Sequence, residues 1–362
     1  MYNLKKVLTA VFASVGILSF AQEAKKSPLT LSGSVDAFYQ TYLTQSDVSP
    51  TPFGTSFAEE AGFALGMANT VFSYDGAKTG MVADLAFGNR GVSAVGGDDE
   101  IGDYNFYVNQ LYAYWNVSEA TTLTLGRFNT YLGYEVISPT GNFNYSTSYL
   151  FSNGPFSHVG LKADFALSDD FSLMLAVMNV TDTNVNVDGV YALGAQLGYS
   201  GQYLNFYYDG GAGLGLEIDY TGGFDITDKF FLGINAAYQM LGDYSDTAEF
   251  VDPITGEISE IDVFLEDVSN GFYGVALYPQ YAATDNFSIG LRGEYFGYHV
   301  EEGEDLPSVF ATTLTGSYSL ENLTIKPEVR LDAWSNDEPY FDNDGAAASS
   351  LAAFTLAAIY SF

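Results

Sequence analysis

The 362-residue chain has no cysteine, which excludes disulfide frameworks, thiolate zinc sites and Cys nucleophiles. Cations are scarce: 12 Lys and Arg stand against 45 Asp and Glu, leaving −33, a balance opposed to nucleic-acid binding. With two histidines, His158 and His299, little is available for acid–base chemistry. Beyond the N-terminus no apolar run approaches the ~20 residues of a membrane-spanning helix. What is abundant is Tyr and Phe, 28 of each, and Gly, 38, with charged residues at only 16%. Such a chain is too apolar and aromatic for disorder, and it lacks the Leu/Ala/Glu/Lys bias of a helical protein.

The N-terminus has the pattern of an export signal. Lys5 and Lys6 precede a short apolar run, Val7 to Phe20, and Ser19 and Ala21 are small residues at the positions a signal peptidase inspects. A signal peptide over residues 1–21 is expected, cut after Ala21, with one domain over 22–362. No Cys follows, so a lipoprotein anchor is excluded.

The remainder is a series of ~10-residue stretches in which apolar and polar residues alternate. From Leu323 to Trp334, Leu323, Ile325, Val329, Leu331 and Ala333 share one face with Pro327, while Thr324, Lys326, Glu328, Arg330 and Asp332 share the other. Phe287 to Tyr298 sets Phe287, Ile289, Leu291 and Tyr295 opposite Ser288, Arg292 and Glu294; Val159 to Leu167 sets Val159, Leu161 and Phe165 opposite His158, Lys162 and Asp164. A soluble sandwich would use strands of ~5–6 residues. Longer strands with aromatics near their ends match a lipid-facing wall, and lipid admits only helices or closed barrels. An all-β, antiparallel up-and-down transmembrane barrel follows.

Connections alternate in length. Short turns fall at Asp75-Gly76, Ser118 to Ala120, Ser168 to Asp170, Ser200 to Gln202, Asp225 to Asp228, Thr284 to Asn286 and Glu321-Asn322. Mostly longer connections lie between them, near Thr44 to Glu59, Gly91 to Asp103, Thr130 to Pro155, Gly242 to Ser269 and Ser335 to Ser349. About sixteen strands are counted, with 14–18 open, and an even number puts both termini in the periplasm. The chain ends on an alternation, Phe354, Leu356, Ala358, Tyr360, Phe362, without the charge or proline that blunts an ordinary edge. Tyr360 and Phe362 resemble the signal read by the outer-membrane barrel assembly machinery, and the last strand is expected to pair with the first, near Leu31 to Tyr42.

Gly126-Arg127-Phe128-Asn129-Thr130 with Gly133-Tyr134-Glu135, then an Asn/Ser/Tyr-rich loop and Pro155 to Gly160, resembles the OmpL-like beta-barrel porins, as does Leu31 to Phe38. The resemblance spans the mature chain and implies a diffusion channel in the outer membrane of a Gram-negative bacterium. General porins fold their third external loop inward as a constriction; here that loop, Thr130 to Pro155, carries a single acid, Glu135.

Charge placement supplies the candidate pore lining. Strand parity turns Lys162, Asp164, Arg292, Glu294, Lys326, Glu328, Arg330 and Asp332 inward, with Asp36, Asp84, Glu217 and Asp219; Glu135 joins them from the loop. Arg127 shares the parity of Leu123 and Leu125, so a bulge at Gly126 is needed to turn it inward. Glu328 between Lys326 and Arg330 reads as a ladder of mutually cancelling charge. Four outer connections, Gly91 to Asp103, Gly242 to Ser269, Glu301 to Pro307 and Ser335 to Ser349, hold nearly half of the 45 acids and no Lys or Arg.

Catalysis has little support. His299 reads as a rim residue and His158 as a lumen-facing polar group, and no Ser/His/acid set is evident. Asp342-Asn343-Asp344-Gly345 lacks the first ligand and the closing Glu of a calcium loop and reads as an Asx/Gly turn. The expected function is a water-filled porin for ions and small hydrophilic solutes, mildly cation-preferring, with no enzymatic activity and no cofactor. The alternative is a receptor or adhesin barrel acting through its acidic outer loops. Expected partners are outer-membrane lipid, the solutes, the assembly machinery and, in a homotrimer, further copies.

Overall fold

The computed structural model describes residues 28–48, 50–95, 107–187, 189–211, 213–241, 246–251, 258–263, 271–299 and 306–362. The expected signal segment lies outside them. Sixteen strands form one closed barrel: β1 (Leu29–Tyr42), β2 (Gly62–Asp75), β3 (Thr79–Phe87), β4 (Val108–Ser118), β5 (Thr121–Asn129), β6 (Ser157–Ala166), β7 (Phe171–Asn179) and β8 (Tyr191–Tyr199) make the first half. The second half is β9 (Gln202–Tyr208), β10 (Leu216–Asp225), β11 (Phe230–Met240), β12 (Gly271–Ala282), β13 (Phe287–His299), β14 (Ser308–Leu320), β15 (Leu323–Ser335) and β16 (Ser350–Ser361). Each strand pairs antiparallel with the next, and β16 closes on β1 from Ser34↔Ser361 to Tyr42↔Ala353. Phe362 and Gly33 exchange two backbone hydrogen bonds just beyond that ladder, at 3.0 and 3.1 Å. Closure leaves no unpaired edge, which is what lipid requires of a spanning sheet.

The alternation read from the sequence is the wall of this barrel. On β15, Val329 and Leu331 are exposed on the outside, while Lys326, Glu328, Arg330 and Asp332 are buried inside. Exposed rings mark both ends of the wall: Tyr74, Trp115, Tyr199, Tyr281 and Tyr360 toward the short turns, and Phe63, Phe87, Tyr191, Tyr208 and Phe310 toward the long connections. Between them the outer surface is aliphatic, with Leu125, Leu161, Val177, Leu193, Leu291 and Leu314. Two rings of amphipathic aromatics around an apolar band is the pattern of a bilayer-spanning barrel.

Two regular features outside the wall had no counterpart in the sequence pattern. Short helices interrupt two connections, α1 (Gly88–Val95) after β3 and α2 (Tyr149–Asn153) before β6. Ser148 caps α2, its hydroxyl accepting from the Phe151 N–H. Small hairpins also form, Asp246–Val251 with Ile258–Val263 and Tyr340–Phe341 with Ala347–Ala348. In the second, Asp342 accepts the N–H groups of Asp344 and Ala346, the Asx turn expected there.

Candidate functional site: the filled side of the barrel

The connection between β5 and β6, residues 130–156, turns into the barrel instead of projecting from it. Its side chains Leu132, Ile137, Tyr145, Tyr149, Leu150 and Phe151 are all buried. A backbone entering an apolar interior would leave its N–H and C=O groups unpaired, so the wall must supply partners. It does so with charge. Glu328 accepts the N–H groups of Tyr145 and Ser146 at 2.7 and 3.0 Å and the Thr315 hydroxyl at 2.7 Å. Glu294 accepts those of Tyr149 and Leu150 at 3.0 and 2.8 Å. Asp219 accepts the Gly133 N–H at 3.0 Å, and its remaining capacity is taken by the amides of Asn205 and Asn235.

The cations treat the carbonyls of the same segment in the same way. Lys326 Nζ donates to Pro139 O and Asn142 O, Arg292 to Ser146 O, and Arg330 to Thr147 O. Arg292 also meets Glu135 at 2.7 Å, while Glu135 accepts the Ser148 N–H. Arg330 forms a two-bond pair with Asp332 (2.8 and 2.7 Å), whose carboxylate also accepts the Tyr149 hydroxyl at 2.8 Å. Charge-assisted hydrogen bonds are worth about 1.5–3 kcal/mol each, and here they recognise the backbone of the segment.

The β1–β2 connection and α1 complete the packing. Phe53 lies under the Arg330 guanidinium at 4.3 Å, and its carbonyl, 2.6 Å from the Tyr149 hydroxyl, shares that proton with Asp332. Arg90 on α1 donates to Ile137 O and Tyr145 O and stacks between the Phe57 and Tyr145 rings. At a register shift on β1, Asp36 accepts the Met67 N–H and the Tyr145 hydroxyl. Gly66 is required there, because a Cβ would sit 1.7 Å from the Asp36 carboxylate. Burial raises the Tyr145 pKa and the Asp36 carboxylate adds to it, so the phenol stays a donor.

The predicted lining residues are thus drawn inward and brought together, but mostly around protein. Arg292, Glu294, Lys326, Glu328, Arg330, Asp332, Asp36, Asp84, Glu217, Asp219, Arg127 and Glu135 are all buried. Only Lys162 and Asp164, 3.1 Å apart, keep side-chain exposures of 27% and 40%. The expected charge ladder on β15 is corrected: Glu328 binds backbone N–H groups and pairs with neither Lys326 nor Arg330 among the ion pairs of the described residues. Asp84 likewise takes the Asn69 and Asn109 amides instead of a cation.

The bulge expected at Gly126 is also corrected. Pairing of β5 runs unbroken past Gly126 on both sides, and the extra residue is Asn109 on β4, where Asp84 and Leu85 face Gln110 and Val108. Gly126 turns Arg127 by a φ of +138°, and a Cβ there would fall 2.2 Å from Leu111 O. Arg127 then donates to Asn109 O at 3.2 Å and to Asn184.

His158 is fully buried, its Nε2 3.0 Å from Thr130 Oγ1, and it stacks on Tyr207. His299 lies at the rim, against Gln239 O and the Tyr238 ring. Among the described residues no cluster of His, Asp and Glu could hold a metal ion. Sequence reasoning missed Arg90, Tyr145 and Tyr149. The density of Tyr and Asn in the 130–156 connection pointed to the last two; nothing local marked Arg90.

A family model, "Putative beta-barrel porin-2, OmpL-like", matches residues 28–362. The chain belongs to this porin family. It is an outer-membrane porin barrel, and its fold recurs in solved structures of low sequence identity. The outer-membrane channel DcaP of Acinetobacter baumannii is 15% identical, with 92% of this chain and 97% of that chain covered and a TM-score of 0.56. An anion-selective porin from Comamonas acidovorans is 10% identical, covering 92% and 99% with a TM-score of 0.54. OmpF of Salmonella typhi, in a complex with daunomycin, is 12% identical, covering 92% and 97% with a TM-score of 0.54. No curated protein matches.

Proposed function

We propose that this porin is a water-filled diffusion channel for ions and small hydrophilic solutes, weakly preferring cations at low salt. One observation carries the reading: the stretch of the inward segment from Pro139 to Leu150 is anchored to the β13–β15 side of the barrel, while the inner wall near β4 to β6 keeps partly exposed polar and charged groups, including Lys162 and Asp164. Supporting the cation preference, the four outer stretches Gly91 to Asp103, Gly242 to Ser269, Glu301 to Pro307 and Ser335 to Ser349 hold nearly half of the acids and no Lys or Arg. A ring of like charge at a mouth concentrates counter-ions and repels co-ions. Within the anchored interior the pairs Arg292–Glu135 and Arg330–Asp332 largely cancel, and the acids bonded to neutral groups add to the negative field. Further parts of the reading are periplasmic termini, lipid around the aromatic rings, use of Phe362 and Tyr360 by the barrel assembly machinery, and assembly as a homotrimer.

Planar-bilayer recording tests the proposal. Stepwise conductance is expected, with reversal potentials favouring cations at ~10 mM salt, where screening reaches ~30 Å, and fading at ~1 M, where it shrinks to ~3 Å. Anion preference at low salt would overturn the mouth-controlled selectivity. Persistent absence of steps from correctly folded barrels would overturn the channel and favour a receptor role for the outer loops.

A further inference from the structure

The inner wall divides into two sides of different accessibility. On β13 to β16 and β1, the inward positions Arg292, Glu294, Thr313, Thr315, Lys326 and Glu328 are sealed beneath the 130–156 segment. On β4 to β8 some inward positions stay partly open, Gln110, Tyr112, Tyr114, Asn116, Thr122, Lys162, Asp164, Ser172 and Gln196, while Thr124, His158, Met174, Ala176 and Met178 are buried. Strand register ties these into adjoining rows. Tyr114 neighbours Thr124, which neighbours Lys162; Asn116 neighbours Thr122, which neighbours Asp164; and Asp164 leads through Met174 to Gln196. Gln196 donates to Tyr131 O at 3.3 Å, so the inward segment borders this surface on its far side.

We propose that solutes cross along this β4–β8 wall, and that the wall selects neutral polyhydroxylated solutes of sugar size. The proposal rests on the channel reading and deepens it. At mid-strand the exposed charges are one cation and one anion in contact, which largely cancel for a solute passing alongside, while Asp75, which accepts the Tyr114 hydroxyl, adds one acid at the short-turn end. A charged solute shedding water beside Lys162 and Asp164 meets charges already paired with each other. A sugar meets amide, hydroxyl and phenol groups that can exchange hydrogen bonds with it, and the phenol rings of Tyr112 and Tyr114 offer apolar faces for its C–H surface. Tyr112 is held by packing against the buried cluster of Phe128, Leu132 and Met178, which makes its ring a fixed surface.

Tracer efflux from proteoliposomes tests this with glucose, gluconate and glucosamine as probes. The medium should be ~1 M salt, where the mouth field is screened to ~3 Å and only the path itself discriminates. Glucose is expected to leave severalfold faster than either charged analogue. Lys162→Glu places two acids on the path and should raise the glucosamine-to-gluconate ratio severalfold. Gluconate or glucosamine matching glucose in the unaltered protein would overturn the solute class. An unchanged ratio in Lys162→Glu would overturn the location of the path. No efflux of any probe would instead refute the channel reading.

Discussion

Lys162 and Arg292 occupy equivalent positions in the sequence pattern, inward-facing bases at mid-strand, yet they sit in different surroundings. Lys162 on β6 faces Asp164 with both side chains partly in water, and its ammonium lies 5.5 Å from the Phe128 ring centre. Arg292 on β13 has no exposure and binds Glu135, Ser146 and Thr313. The difference arises from the 130–156 segment, whose residues 131–134 touch β8 to β11 and whose residues 139–150 lie against β13 to β15, over Arg292. Charge on that side is structural: it satisfies a backbone that would otherwise be buried unpaired. On the β4–β8 side Lys162 and Asp164 remain partly available to solvent. Parity therefore identifies which residues point inward, and the loop decides which of them face solutes.

The largest expected effect comes from removing the asymmetry altogether. Excising Gly141 to Ser152 takes away the backbone held by Glu294, Glu328, Arg292 and Arg330 and opens the sealed side. Single-channel conductance should rise by about twofold or more, since conduction follows the width of the constriction. Unchanged conductance would mean that ions already bypass this segment and that the sealed side is not a constriction.

The barrel itself is largely legible in the amino-acid sequence. Alternation as strict as that from Leu323 to Asp332 can serve only a wall with one apolar and one polar face, and short turns alternating with long connections set the strand order. The interior was less legible, for a physical reason. A side chain's parity is local, but its partner is not: Glu328 and Ser146 are 182 positions apart, and Arg330 and Thr55 are 275 apart. Moreover, the wall recognises the segment largely through backbone N–H and C=O groups, which every residue carries and no motif records. Arg127 shows the same limit on a smaller scale. Its inward turn required a special glycine conformation, as Gly126 suggested, but the bulge itself lies on the neighbouring strand at Asn109.

A second, smaller effect tests the sealed side one charge at a time. Arg292→Ala leaves Glu135 buried without its cation and strips Ser146 O of its donor. Breaking one partner of a buried pair costs about 3–5 kcal/mol, which should appear as a lower unfolding midpoint in detergent. Proteolysis within residues 130–156 should accelerate alongside it, because the anchor and the loop are one structure. The double change Arg292→Met with Glu135→Gln removes both charges together and should lose less than Arg292→Ala alone. By the same logic, replacing Lys326 and Arg330 by Gln would loosen the loop before it altered selectivity, since both bases are engaged with its carbonyls.

The smallest effect is expected at Lys162, and its smallness is the sharpest check on the comparison. Lys162→Ala removes an ion pair whose members are 27% and 40% exposed, so water can take over the hydration of Asp164. Exposed pairs contribute about 0–1 kcal/mol, because Coulomb attraction is weakened by solvent and the long side chain loses rotamer freedom in forming the contact. The loss of packing by the Lys162 stem near Phe128 adds little, since Phe128 stays buried in its own cluster. The unfolding midpoint should therefore hardly move, while cation preference should increase through the now unpaired Asp164. A destabilisation comparable to that of Arg292→Ala, about 3 kcal/mol, would show that the β4–β8 side is as tightly built as the other. The two walls would then differ in exposure but not in the work their charges perform.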